Sequence, residues 1–146
     1  MAVDREWDAA DDVGRSVGVG PLGLGVSSSL RPLPSSKHEA DFLLAQVSFS
    51  ANALLEWRAA IDFAGPVFDG AMVIPSATMA RKLSADIPEL AIPAPIVSLL
   101  DRTSDAGVEL ALDLICEIRD SGAFDGIHLI PVARYREMAV RLQALA

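Results

Sequence analysis

The sequence predicts an α/β fold in which parallel strands are joined by helical crossovers. Short apolar runs of strand character alternate with amphipathic helical stretches, turn-forming residues separate them, and no internal repeat or low-complexity tract breaks the pattern. Alternation of this kind marks strand–helix–strand units rather than hairpins. At 146 residues the chain has room for one core. Its 51% apolar and 22% charged residues exclude disorder over most of its length.

Residues 1–19 carry no apolar period beyond Trp7, Val13 and Val17, and read as a poorly packed acidic extension, with a short helix as the other reading. The α/β domain then covers residues 20–146. Leu22, Leu24 and Val26 alternate with glycines and predict a first strand, which stops at Ser27-Ser28-Ser29 and the turn-like Arg31-Pro32-Leu33-Pro34. A turn of helix is expected around Lys37. Asp41 to Phe49 is a stronger strand signal, and Ala51 to Ala64 follows with Leu54, Leu55, Trp57, Ala60, Ile61 and Ala64 at helical spacing, closed by Gly65-Pro66. Phe68 to Ile74 is a third apolar run, and Pro75-Ser76 opens a helix reaching Asp86. Ala94 to Leu100 predicts a short helix with Pro95 in its first turn, where proline is tolerated. The clearest helix runs from Asp105 to Ser121: Val108, Ala111, Leu112, Ile115 and Ile118 form one stripe, and Gly122 stands at the cap position. Glu109, Asp113 and Glu117 recur on its other side as a solvated face. A fourth strand, Gly126 to Pro131, and a closing helix, Ala133 to Ala146, complete the chain.

Charge and composition exclude several functions. Twelve basic residues against 20 acidic ones give a formal charge of −8, and the bases are scattered, so a nucleic-acid surface is not expected. The longest apolar stretch, Leu90 to Leu100, is short of the roughly 20 residues of a spanning helix and contains Pro93 and Pro95, so no membrane segment is expected. The acidic start, Asp4 and Glu6, differs from the basic start of a signal peptide, and a single cysteine, Cys116, allows no internal disulfide. A cytoplasmic protein is the expectation. His38, His128 and Cys116 have no paired spacing, so no metal site is expected. Gly18-Val19-Gly20-Pro21-Leu22-Gly23 spells the dinucleotide fingerprint, but an acidic segment precedes it and a strand follows, so it reads as a glycine-rich strand entry.

The informative residues sit on strands. Alternation puts Leu43, Ala45, Val47 and Phe49 on one face of the second strand and Phe42, Leu44, Gln46 and Ser48 on the other. The second set turns polar toward the C-terminal end, the end at which parallel barrels bind ligands. In the last strand Ile127 and Leu129 point to the helix side, leaving His128 and Ile130 inward. Gln46 and His128 would then face one interior.

Ala40-Asp41-Phe42-Leu43-Leu44-Ala45-Gln46, Gly70 with the helix after it, Ile92-Pro93, and Asp125-Gly126-Ile127-His128 followed by Arg134 together resemble the C-terminal half of the methylenetetrahydrofolate reductase barrel. The resemblance spans residues 20–146. It implies half of a (β/α)8 TIM barrel and a reductase that converts 5,10-methylenetetrahydrofolate to 5-methyltetrahydrofolate with hydride from NAD(P)H, in the family through bound FAD. By position, Gln46 matches the glutamine that contacts pterin and nicotinamide, Arg134 the substrate-binding arginine, and His128 the last-strand histidine. The family's flavin-holding positions are occupied by Val26-Ser27-Ser28-Ser29 and Ser35, with Lys37 two places from the expected lysine, and Met79, Leu83, Ile130 and Ala133 also depart from the pattern. A full barrel takes about 250 residues, and its first four strands have no counterpart here. The implied partners are a folate and either a second copy of the chain or a complementary N-terminal half-barrel. The alternative is a catalytically silent half-barrel whose free edges serve subunit association.

Overall fold

The computed structural model describes residues 15–17, 24–28, 30–103 and 105–145. Among the described residues five strands form one sheet: β1 Arg15–Val17, β2 Leu24–Ser28, β3 Phe42–Ala45, β4 Val67–Met72 and β5 Gly126–Ile130. They lie side by side in chain order. β2, β3, β4 and β5 run parallel, with Leu43 opposite Val67 and Gly70 opposite His128. β1 pairs antiparallel with β2. The helices are α1 Ala51–Ala60, α2 Ala77–Asp86, α3 Ala94–Arg102, α4 Ala106–Ser121 and α5 Tyr135–Leu145, with 3-10 turns at Ser35–Lys37 and Pro88–Leu90. The expected α/β class and the turn at Lys37 are present. β1 was hidden within the predicted extension, because three residues are too few to show an apolar period; the glycine fingerprint, residues 18–23, lies outside the described residues.

Three helices cover one face of the sheet. Leu43, Ala45 and Val67 pack against Leu54 and Trp57 of α1 and Ile118 of α4. Ala71 and Val73 pack against Val108, Ala111, Leu112 and Ile115 of α4 and Met138 of α5. The α2–α3 excursion closes instead over the C-terminal end of β4, where Ile74, Ala77, Ala80, Leu100 and Ala106 form a third cluster. Burial of these stripes against the sheet supplies most of the helices' stability, which short helices lack in isolation.

Local chemistry fixes the element ends. Ser50 Oγ accepts the Ala53 N–H at 3.2 Å, and Ser76 Oγ accepts the Met79 N–H at 3.1 Å, capping α1 and α2. Gly122 terminates α4 in the left-handed region, φ 66°, as its position in the sequence suggests. α1 is shorter than the helical spacing predicts. Ile61 and Phe63 are buried while Asp62 and Ala64 are exposed, a period of two that an extended segment satisfies and a helix does not.

β3 is also shorter than expected. Past Ala45 the chain crosses over Gly70: a Cβ there would come within 2.8 Å of the Ala45 carbonyl oxygen and 3.1 Å of the Val47 nitrogen. Glycine at 70 lets the two backbones meet. The crossing breaks the alternation beyond Ala45, so Phe49 joins the cluster at the strand ends with Met72 rather than the helix-covered face.

Between β5 and α5 a turn is closed by the Arg134 N–H donating to the Pro131 carbonyl at 2.9 Å. Val132 within it has φ 52°. A β-branched residue in the left-handed region is strained. Val132→Gly is expected to raise stability by about 1 kcal/mol, read as a higher urea midpoint at unchanged m; a lower midpoint would show that packing of the valine outweighs the strain.

Candidate functional site

Of the candidate residues, His128 lies on the sheet's second face. At its N-terminal end Phe42 and Phe68 meet edge to face, centroids 5.9 Å apart and planes at 87°. The Phe68 ring lies over Gly126, where a Cβ would approach it to 2.9 Å. Further along stand Gly70 and, beside it on β5, His128. His128 is exposed, while its neighbours Ile127 and Leu129 pack toward α4 and α5, as their alternation predicts.

Gln46 directly follows the last residue of β3 and is half-buried. Its predecessor Ala45 passes over Gly70, and Gly70 is the register partner of His128. The backbone thus brings the segments bearing Gln46 and His128 to the two sides of one glycine. A carboxamide presents both donor and acceptor, and an imidazole adds a second such pair, a combination suited to a heterocycle edge.

Arg134 is placed differently. Its guanidinium lies 2.8 Å from a Glu137 carboxylate oxygen and 3.7 Å from one of Asp105. It ties the start of α5 to the start of α4, and Arg141 makes a second tie to Glu109 at 2.7 Å. The expected substrate-binding arginine therefore has carboxylate partners within the fold.

A cavity of about 50 Å³ opens at the strand C-termini, walled by Phe49, Met72, Ile74, Ile96, Leu110 and Leu114. Gln46, His128 and Arg134 are not among its lining residues. Its wall is mostly apolar, so it offers shape more than hydrogen bonds.

For flavin the fit is poor. Lys37, nearest in sequence to the family's flavin-contacting lysine, is 1% exposed and engaged within the fold. Cys116 is a half-buried free cysteine on α4, and no group of three or more His, Cys, Asp or Glu converges among the described residues. No described helix is long and apolar enough to cross a membrane.

Asp69, in the middle of β4, was not singled out by sequence reasoning. It is 0% exposed, and neither carboxyl oxygen has a hydrogen-bond partner of normal geometry. Burial pushes its pKa up to about 6, and the neighbouring Gly70 backbone N–H acts in the opposite direction with smaller effect. The available signal was one acid inside the run Val67-Phe68-Asp69-Gly70-Ala71-Met72-Val73-Ile74.

Neither the sequence patterns of known protein families nor the curated proteins contain a match to this chain.

Proposed function

We propose that this chain is half of a (β/α)8-type barrel that binds a reduced folate, in the manner of methylenetetrahydrofolate reductase. The observation that carries the reading is the winding of the sheet. β2 to β5 are parallel and adjacent in chain order, with α1, α4 and α5 on one face only. The face bearing Phe42, Phe68, Gly70 and His128 then corresponds to a barrel's inner wall.

In this reading the Gln46 carboxamide pairs with the pterin edge through one end and with the nicotinamide carboxamide through the other, both rings being held at once. His128 supplies a second polar contact from β5. Arg134 reaches substrate only by exchanging its carboxylate partners, so its contribution is secondary to that of Gln46. Hydride from NAD(P)H, which leaves as NAD(P)+, adds to the methylene carbon of methylenetetrahydrofolate as its bond to N10 breaks and N10 takes a proton, leaving the methyl on N5; the burial of Lys37 favours direct transfer over a route through FAD. The proton donor and the water-poor enclosure that such a transfer needs come from a complementary N-terminal half-barrel or a second copy. The free thiol of Cys116 fits a reducing, cytoplasmic setting.

A second reading, a catalytically silent half-barrel acting in subunit association, is favoured by the ion pairs of Arg134 and by the apolar cavity at the strand ends. Calorimetric titration of methyltetrahydrofolate, with light scattering on the same sample, separates the two. Saturable binding that weakens about tenfold or more in Gln46→Ala, about 1.4 kcal/mol, supports the folate wall. Absence of binding by a folded, dispersed parent chain would leave the silent reading, and equal binding by Gln46→Ala would remove Gln46 from the site.

A further inference from the structure

Asp69 stands where the two halves of the helix-covered core meet. Its neighbour two residues back, Val67, belongs to the cluster with α1 and Ile118; its neighbour two residues on, Ala71, belongs to the cluster with Val108, Ala111 and Ile115. Both neighbours are fully buried, and so is the carboxyl between them. Among the described helices α4 alone spans the seam, since that helix contributes to both clusters.

Nothing described across the seam compensates a charge. The side that α4 turns toward the sheet is apolar, and its acids Glu109, Asp113, Glu117 and Asp120 are exposed. Cys116 is half-buried on the same helix. On β5 the facing residues are Ile127 and Leu129, and Asp125 is occupied in accepting the Val67 N–H at 2.8 Å. From α1, Arg58 donates to the Ala123 carbonyl at 3.1 Å. From α5 the facing residue is Met138, while Arg134 and Arg141 hold carboxylates of α4 and α5. Lys37 is buried and engaged within the fold, and the influences acting on Asp69 are burial and the Gly70 backbone. An ionised, unpaired carboxylate in such surroundings is costly, and the fold avoids the cost by keeping the proton or by letting water in.

We infer that Asp69 makes the seam between β4 and α4 a proton-controlled opening: closed while the carboxyl is neutral, and opening locally to admit water once the proton leaves. The closed form holds the proton more tightly than the opened one, so opening increases with pH. It rises between the ordinary carboxyl value of 3.8 and the buried value of about 6, and levels off above.

Native-state hydrogen exchange on the full chain at pH 5 and pH 7.5, corrected for intrinsic exchange rates, tests this. Amides of α4 and β4 are expected to be about tenfold less protected at pH 7.5, given the two proton affinities, while those of α2 and α3 hold constant. Asp69→Asn, which cannot ionise, is expected to remove the difference. Equal protection of α4 and β4 at the two pH values in the parent chain would overturn the inference without reference to any variant. A uniform loss of protection across all helices would overturn it too, since that marks global rather than local opening. A pH difference persisting in Asp69→Asn would assign the effect to another group.

Discussion

Gly107→Ala is expected to destabilise the fold by about 3 kcal/mol or more. A Cβ at this position would fall 1.8 Å from the Ile74 carbonyl oxygen and 2.9 Å from its carbon. Both obstacles are backbone, so no rotamer change relieves the overlap. The first turn of α4 would have to lift away from the end of β4, where Ile74 is 2% exposed and packs with Ala77 and Ala106. Lifting it also pulls Asp105 from Arg134, which lies 3.7 Å away. Urea denaturation of the parent and variant gives the difference directly. A loss below about 1 kcal/mol would show that the start of α4 shifts freely, because overlaps of this kind cost less only where the backbone yields.

Trp57→Ala is the second large effect, about 3–5 kcal/mol. The indole is 6% exposed and packs with Leu43, Leu54 and Ile118, so truncation empties the middle of the first core cluster. It also removes a tie of long reach: the indole N–H donates to the Arg31 carbonyl at 2.9 Å, joining α1 to the segment that leads into β3. Trp57→Phe keeps most of the apolar volume and drops the donor, and is expected to cost about 1 kcal/mol, the net worth of one hydrogen bond plus a small repacking. Chemical denaturation of both variants separates volume from hydrogen bond. Equal losses would mean that the hydrogen bond and not the packing carries the residue's contribution.

Long periodic segments were legible in the sequence. The stripe from Val108 to Ile118 reports sixteen residues of helix, and Gly122 ends it in the left-handed region. The inward–outward split of Ile127, His128 and Leu129 was legible for the same reason, since alternation survives wherever a strand stays regular. What failed to show were the places where tertiary contacts override a local period. Phe49 continues the alternation of β3 on paper, yet the crossing over Gly70 ends that strand at Ala45 and sends the ring to the strand ends. Ile61 sits at helical spacing from Trp57, yet burial of both Ile61 and Phe63 requires extended chain. Of the candidate residues, His128 stands on β5 opposite Gly70 as its strand predicts, while Gln46 falls just past the end of β3, where the predicted alternation no longer applies; the partners of Arg134 come from Asp105 and Glu137, and no spacing rule announces such a pairing across a loop.

The antiparallel β1 changes what the sheet can become. A bare set of four parallel strands has two unsatisfied edges and can be lengthened from either side. Here β1 occupies the β2 side, while β5 has no further strand beside it among the described residues. β1 is itself an edge, but one of three residues, and short edge strands blunt pairing, so the five-residue β5 is the better side for extension. Two copies joined through β5 would end on both sides in the short β1, which favours a finite pair over a fibre. A parallel ring of two copies, by contrast, would require β1 to leave, so that three residues set the choice between an open ribbon and a closed barrel.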